Sequence, residues 1–100
     1  MNTCSQCEEL KIAYKFNSPS QFSHLIVAVR TNLNEGVIKE DTDYWPPGQI
    51  KFDQKPFSEV KKRGPWDDIL QYYFRCVTCE QLFSLYADTY HGRGEWKTVS

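Results

Sequence analysis

Four cysteines in two matching segments limit what this chain can fold into. The first segment reads Cys4-Ser5-Gln6-Cys7-Glu8-Glu9-Leu10, and the second reads Cys76-Val77-Thr78-Cys79-Glu80-Gln81-Leu82. Each is a Cys-x-x-Cys pair followed by an acidic residue, a polar or acidic residue and a leucine. We call Cys4–Cys7 the first hook and Cys76–Cys79 the second hook. Two such pairs supply four thiolates, the ligand set of a closed tetrahedral zinc site. The sequence therefore predicts one structural Zn²⁺ ion on Cys4, Cys7, Cys76 and Cys79.

The two cysteine pairs are far apart in the chain. There are 68 residues between Cys7 and Cys76, whereas the pairs of a zinc ribbon are usually separated by about 15 to 20. Loop-closure entropy rises only logarithmically with length, so an insertion that folds by itself costs little. Three alternatives stay open: small buried hydrophobic residues, a redox pair, or a degenerate site without metal. No βαβ pattern surrounds either pair, which disfavours the redox alternative.

Length and composition are typical of one globular domain. The chain has 100 residues, 40% hydrophobic and 15% aromatic, and we expect a single domain over residues 1–100. Within it, residues 1–16 and 69–87 should form the zinc-ribbon hooks and strands, 18–36 an inserted helix, and 37–68 a loop-rich insertion. No apolar run reaches the roughly 18 residues of a membrane span, and the first residues lack a signal-peptide pattern. We expect a cytoplasmic protein without membrane contact, whose thiols stay reduced.

Hydrophobic periodicity predicts an α+β fold, a small zinc-ribbon-like antiparallel sheet with one main helix packed on it. Ser18 and Pro19 mark a helix start, after which apolar residues recur at helical spacing: Phe22, Leu25, Ile26, Val29 and Leu33. Strands are predicted at 11–16, with Ile12, Tyr14 and Phe16 on one face, and at 49–53, 69–75 and 81–87. The second cysteine pair forms the turn of the last hairpin. Residues 39–49 should be a loop, and the glycines of 90–96 predict irregular structure there.

No pattern of catalytic residues is present in the sequence. It contains no Gly-rich phosphate loop, His-Glu-x-x-His or nucleophile elbow. Asp67-Asp68 and Glu8-Glu9 are adjacent pairs, whose side chains diverge in regular structure, so neither is expected to form an acid–base dyad. Four thiolates leave zinc no open coordination position, and His91 in place of one cysteine is the variant that stays open. We expect no enzymatic activity and no catalytic residues.

The charge and the aromatic residues favour a protein partner. A net charge of -1 is a poor basis for nucleic-acid binding, which depends on phosphate neutralisation. Aromatic residues in predicted loops lie beside acidic ones, and aromatic anchors in an acidic rim suit a basic partner face. The predicted partner surface consists of Glu40, Asp41, Asp43, Tyr44, Trp45, Asp67 and Asp68. For Trp66 and Trp96, covering the core is an equal alternative.

The second hook and the residues around it resemble a group of small bacterial zinc-ribbon-like proteins of about this length. The resemblance rests on the first hook, on Tyr72-Tyr73-Phe74-Arg75-Cys76-x-x-Cys79-x-x-Leu82-Phe83-x-Leu85 and on Asp88-Thr89-Tyr90-His91-Gly92-x-Gly94-x-Trp96. Some members look like cytosolic immunity proteins of contact-dependent growth inhibition systems, which neutralise the toxin domain of a neighbour's effector. The resemblance implies an immunity protein that covers the active or substrate-binding face of a toxin, expected to be a nuclease. The alternative is a zinc-ribbon protein associated with nucleic acid or regulation.

Overall fold

One antiparallel sheet carries the main helix on a single face. The computed structural model describes residues 7–49, 51 and 54–99. In these residues five strands lie in the order β1-β5-β4-β3-β2. Their bounds are β1 Tyr14–Phe16, β2 Ile38–Glu40, β3 Ile69–Cys76, β4 Leu82–Asp88 and β5 Arg93–Val99. Helix α1 spans Pro19–Asn34, and Glu8–Lys11 and Phe57–Glu59 form short 3₁₀ helices. The predicted α+β fold, with one main helix on a small antiparallel sheet, is confirmed.

Helix α1 follows the sequence signals closely. The Ser18 hydroxyl accepts a hydrogen bond from the backbone N–H of Gln21 at 3.3 Å, which caps the first turn. Gly36, just beyond the helix, has a φ of 76°, a conformation that residues with a Cβ rarely adopt. Of the predicted apolar stripe, Phe22, Leu25, Ile26 and Val29 are buried, and Leu33 is partly buried at the edge of the core.

The register of the central hairpin separates the two faces of the sheet. Strands β3 and β4 pair from Ile69↔Asp88 to Arg75↔Leu82, and successive side chains alternate between faces. The face towards α1 receives Leu70, Tyr72, Phe74, Cys76, Phe83, Leu85 and Ala87, all buried. We call the opposite face the outer face. It receives Ile69, Gln71, Tyr73, Arg75, Leu82, Ser84, Tyr86 and Asp88.

A second segment completes the core beside α1. Phe57 and Val60 are almost wholly buried, and the Phe57 ring meets that of Phe74 edge-on at 5.1 Å. The Arg30 guanidinium of α1 donates to the Val60 carbonyl, which holds this segment against the helix. The region predicted as a loop-rich insertion therefore supplies core residues.

The prediction of irregular structure for residues 90–96 is wrong for 93–96, which belong to β5, whereas residues 90–92 lie in the turn before it. Strand β5 pairs with β4 along its whole length and with β1 on its other side. Trp96 is 2% exposed, so it covers the core and is not a surface anchor for a partner. A Cβ on Gly94 would lie 2.2 Å from Phe16 Cζ and 2.2 Å from the Tyr86 carbonyl oxygen. The glycine permits a close approach of neighbouring groups and does not break the strand.

Two other predictions need correction. Residues 39–49 are not wholly a loop, because Ile38–Glu40 pair with Phe74–Cys76 of β3. The apolar face of β1 is buried only at Phe16, whereas Ile12 is 73% and Tyr14 37% exposed. Strand β1 lies at the sheet edge, and Phe22 of α1 stacks on Phe16 at 4.8 Å. The strand predicted at 49–53 falls mostly outside the described residues.

No helix in the described part of the chain is both long enough and apolar enough to cross a membrane.

Gly94→Ala should destabilise the protein by about 2 kcal/mol, because the added methyl group overlaps the Phe16 ring and the Tyr86 backbone. Urea unfolding followed by tryptophan fluorescence measures the change. Gly92→Ala is the matched control: Gly92 has a φ of 70° but nothing within 4 Å of its Cβ position. It should cost only the left-handed backbone penalty of about 1 kcal/mol. Equal losses in the two variants would contradict the close approach at Gly94.

Candidate functional site

Three cysteine thiols from the two hooks meet at one end of the sheet. The Sγ atoms of Cys7, Cys76 and Cys79 all lie within 4.8 Å of one another, and those of Cys7 and Cys79 are 3.6 Å apart. Cys7 and Cys76 are buried, and Cys79 is exposed. This cluster could hold a metal ion. Cys4, the fourth predicted ligand, lies outside the described residues.

The second hook is the turn of the β3–β4 hairpin, as predicted. The Cys76 backbone N–H donates to the Gln81 carbonyl at 2.9 Å, and the Glu80 N–H donates to the Cys76 carbonyl at 2.9 Å. Glu80 has a φ of 64°, in the left-handed region where glycine would be unstrained. The backbone N–H of Thr78 also lies 3.4 Å from Cys76 Sγ. The tight turn directs both thiols of this hook towards Cys7.

Cys7, the described cysteine of the first hook, is held by the first 3₁₀ helix and by a tryptophan. The Leu10 backbone N–H donates to the Cys7 carbonyl at 3.0 Å, and the Leu10 carbonyl accepts from Trp96 Nε1 at 2.7 Å. Because Trp96 lies in the core, this bond sets the distance between the first hook and β5. Sequence reasoning missed this role of Trp96, since no local pattern connects residues 10 and 96.

The surroundings of Cys76 favour its thiolate. Burial raises the pKa of the Cys76 thiol, but hydrogen bonds from the Cys79 and Thr78 backbone and from the thiols of Cys7 and Cys79 outweigh it. The pKa falls to about 7 as a result. Thiolates, not thiols, are the metal-binding form. A cluster of soft sulfur donors suits Zn²⁺, Cu(I) or an iron–sulfur unit better than a hard cation such as Mg²⁺.

His91, the alternative ligand, does not join the thiols. Its Nδ1 lies 2.7 Å from an Asp88 carboxylate oxygen, in the turn between β4 and β5. This turn is at the opposite end of the hairpin from Cys76, since Asp88 pairs with Ile69 at the start of β3.

Two acids of the predicted partner surface make contacts inside the fold. Asp41 Oδ1 accepts from the N–H groups of Asp43 and Tyr44, each at 3.1 Å, and Oδ2 pairs with Arg75 Nε at 2.9 Å. Burial raises the pKa of Asp41, but these hydrogen bonds outweigh it and the pKa is lowered. Burial raises the pKa of Glu40, against a hydrogen bond from the Phe57 N–H.

The two predicted aromatic anchors cover the sheet. The rings of Tyr44 and Trp45 meet Tyr73 edge-on, with centroid distances of 4.8 and 5.6 Å. Tyr73 is consequently only 7% exposed, while Tyr44 and Trp45 are half-buried. These residues first shield part of the outer face, and only their exposed edges are left for a partner.

Asp67 and Asp68 lie apart from the other predicted partner residues. Their side chains are exposed, and their carbonyls accept from the Thr89 hydroxyl at 2.6 Å and the Thr89 N–H at 2.8 Å. Asp41 is bonded to Tyr73, five positions beyond Asp68 along the chain, which is about 17 Å of extended strand. The predicted surface is therefore split between the start of β3 and its middle, and its exposed acids are Asp43, Asp67 and Asp68.

Comparisons with known proteins give this chain no family. No family model, curated protein or solved structure matches it. The resemblance to zinc-ribbon-like immunity proteins stays a prediction based on the sequence motif.

Asp41→Asn should lower the free energy of unfolding by about 1 to 2 kcal/mol at pH 7, since it removes the charge that Arg75 bonds. The lowered pKa of Asp41 fixes the pH dependence. Its stabilisation is present above the unfolded pKa of about 3.9 and is lost as pH falls through the lower folded value. Urea unfolding at pH 7 and pH 3 should show a difference from wild type that shrinks in acid. Asp43→Asn, an exposed change in the same loop, should have no effect, and an equal loss there would contradict this role.

Proposed function

We propose that this chain is a non-catalytic binding protein held together by one structural Zn²⁺ ion. The main support for this proposal is that two hooks separated by 68 residues in the chain come together in the fold. Three of their thiols lie within 4.8 Å of one another. Cysteines that only fill the core would not need to lie together, whereas the ligands of one metal ion must. A domain of 100 residues buries a limited core, so a metal cross-link contributes substantially to its stability.

The donors fit Zn²⁺. A tetrahedral ion with Zn–S distances of about 2.3 Å places its sulfurs about 3.8 Å apart, close to the 3.6 Å between Cys7 and Cys79. Cys4 precedes Cys7 by the spacing that separates Cys76 from Cys79, and we assign it as the fourth ligand. When bound, the ion joins the N-terminal hook to the β3–β4 turn. Four thiolates leave no coordination position for water or substrate, which is why the assigned role is structural.

The partner we propose is a bacterial toxin domain, a nuclease in particular, neutralised in the cytoplasm by coverage of its active or substrate-binding face. The motif resemblance supports this assignment. So do the exposed carboxylates of Asp43, Asp67 and Asp68, which form no ion pair with the described residues. Nuclease faces are basic because they bind phosphate, and opposite charge accelerates association. Thiolate ligation also requires the reducing conditions of the cytoplasm.

Cys76→Ser should reduce bound zinc from one ion per chain and lower the melting temperature by 10 °C or more, on the order expected when a structural metal is lost. Elemental analysis and thermal denaturation measure the two effects. Cys4→Ser should weaken zinc binding similarly if Cys4 is the fourth ligand. Val77→Ser is the matched control, since Val77 lies in the same turn and is 51% exposed. An unaltered melt and no metal in wild-type protein produced with zinc would refute the metal assignment.

Asp43→Lys combined with Asp68→Lys should slow association with the proposed cognate toxin domain by about tenfold at low salt, and the loss should shrink as salt rises. Stopped-flow binding measures the rate, and survival of toxin-expressing cells gives the functional readout. Glu35→Lys with Glu9→Lys changes the charge equally at exposed positions outside the predicted surface. Full protection by the first variant would refute this surface, and no protection by the wild-type protein would refute the immunity role.

A further inference from the structure

The outer face of the sheet carries four exposed cations. Strand register directs Lys15, Arg93, Lys97 and Lys39 to this face, since they pair with Glu95, Asp88, Ser84 and Arg75. All four side chains are exposed, and the first three lie on the neighbouring strands β1 and β5. Among the described residues the ion pairs are Arg75–Asp41 and His91–Asp88. The side-chain nitrogens of Lys15, Arg93 and Lys97 therefore have no described carboxylate oxygen within 4.0 Å, the distance limit for an ion pair.

The acids of the same face do not balance these charges. Asp41 pairs with Arg75. Asp88 bonds His91 and also interacts electrostatically with Arg93, so it offsets part of the charge there. Glu95 is the remaining carboxylate that the strand registers direct to this face. Five cationic side chains on this face still outnumber its three carboxylates. The outer face is thus positively charged in a chain whose net charge is -1.

A groove crosses this face between the cations. Two adjoining hollows of about 380 and 440 Å³ share Tyr86 and Glu95. Lys97 lines the first hollow, and Lys15 and Arg93 line the second. Tyr86, at their junction, is 40% exposed, so part of its ring is available for stacking.

We propose that this groove binds a short single-stranded nucleic acid. Cations that follow a groove contact phosphates, and an exposed aromatic ring stacks on a base, which is how sheet surfaces bind single strands. Gln71 and Ser84, joined by a hydrogen bond of 2.9 Å, line the first hollow and offer hydrogen-bonding groups to base edges. This proposal does not depend on the metal, since neither hollow is lined by a cysteine. Of the predicted partner surface, Tyr44 alone lines these hollows.

Glu95 favours a nucleic acid over an acidic polypeptide. Glu95 lines both hollows. Its charge repels phosphates and peptide carboxylates alike, but the side chains of an acidic peptide offer it no hydrogen-bond donor. The amino groups of bases donate hydrogen bonds to carboxylates, as the exocyclic amine of cytosine does. A groove lined by cations, with one carboxylate residue shared by its two hollows, therefore matches phosphates and bases together.

Fluorescence anisotropy with a labelled RNA of about eight nucleotides, and with DNA of the same sequence, tests the proposal. We expect a dissociation constant of about 1 to 100 µM for a site of this charge. With three phosphate contacts, the slope of log K against log salt should be about -2. Binding of both probes supports the proposal, because the groove contacts phosphates and bases that RNA and DNA share.

Two pairs of variants separate this groove from general charge. Arg93→Glu with Lys97→Glu should weaken binding at least tenfold and flatten the salt slope, whereas Lys61→Glu with Lys62→Glu should not. The latter two residues lie on the α1 side, where the Lys62 carbonyl accepts from Ser23 of the helix. Tyr86→Ala should weaken binding about tenfold, and Tyr86→Phe should retain it. Tyr90→Ala, at an exposed tyrosine outside the groove, is the control for ring loss.

Three results would overturn the proposal. The first is no saturable binding at about 100 µM protein in low salt. The second is an equal loss of binding in the Lys61/Lys62 control variant. The third is tighter binding of a poly-glutamate peptide that does not change in Tyr86→Ala, which would make the groove a polyanion site without base recognition. A thermal melt of each variant shows whether it is folded under the conditions of the binding assay.

Discussion

The position of Trp96 determines how the two ends of this chain meet. Its ring lies between Phe83 at 5.2 Å and Phe74 at 5.6 Å, and its Nε1 donates to the Leu10 carbonyl at 2.7 Å. One side chain thus connects the core of the sheet to the short helix that carries Cys7. Because the core already holds Cys7 near Cys79, a metal ion would bind to a partly preorganised cluster. The burial of one indole and the convergence of the thiols are therefore coupled.

The sequence was sufficient for elements that depend on local signals. Helix α1 is determined by Ser18, Pro19 and an apolar stripe, all read within one segment. The hairpin of β3 and β4 is determined by two dense apolar strands on either side of the Cys76–Cys79 turn. In both cases the residues that fix the element are neighbours in the chain, so periodicity and capping predict them.

Elements that depend on distant partners could not be predicted in this way. Gly94 reads locally as a breaker, and only the Phe16 ring above it explains why a glycine belongs in a central strand. Asp41 reads as a surface acid until Arg75 is placed beside it. Tyr44 and Trp45 read as exposed anchors until Tyr73 is found beneath them. In each case the residue has a role inside the fold that its neighbours in the chain do not reveal.

The net charge of the chain does not show how acidic and basic residues are distributed over its surface. The chain is close to neutral, yet Asp67 and Asp68 lie beside the β4–β5 turn, whereas Lys15 and Lys97 lie on the outer face. Screening reduces interactions between exposed charges beyond about 8 Å at physiological salt, so a partner responds to one surface and not to the average. A basic toxin face and a single-stranded nucleic acid would therefore bind surfaces of different charge, which meet at Tyr44 of the first hollow. Neither surface includes a cysteine, so loss of the metal would affect both through the fold alone.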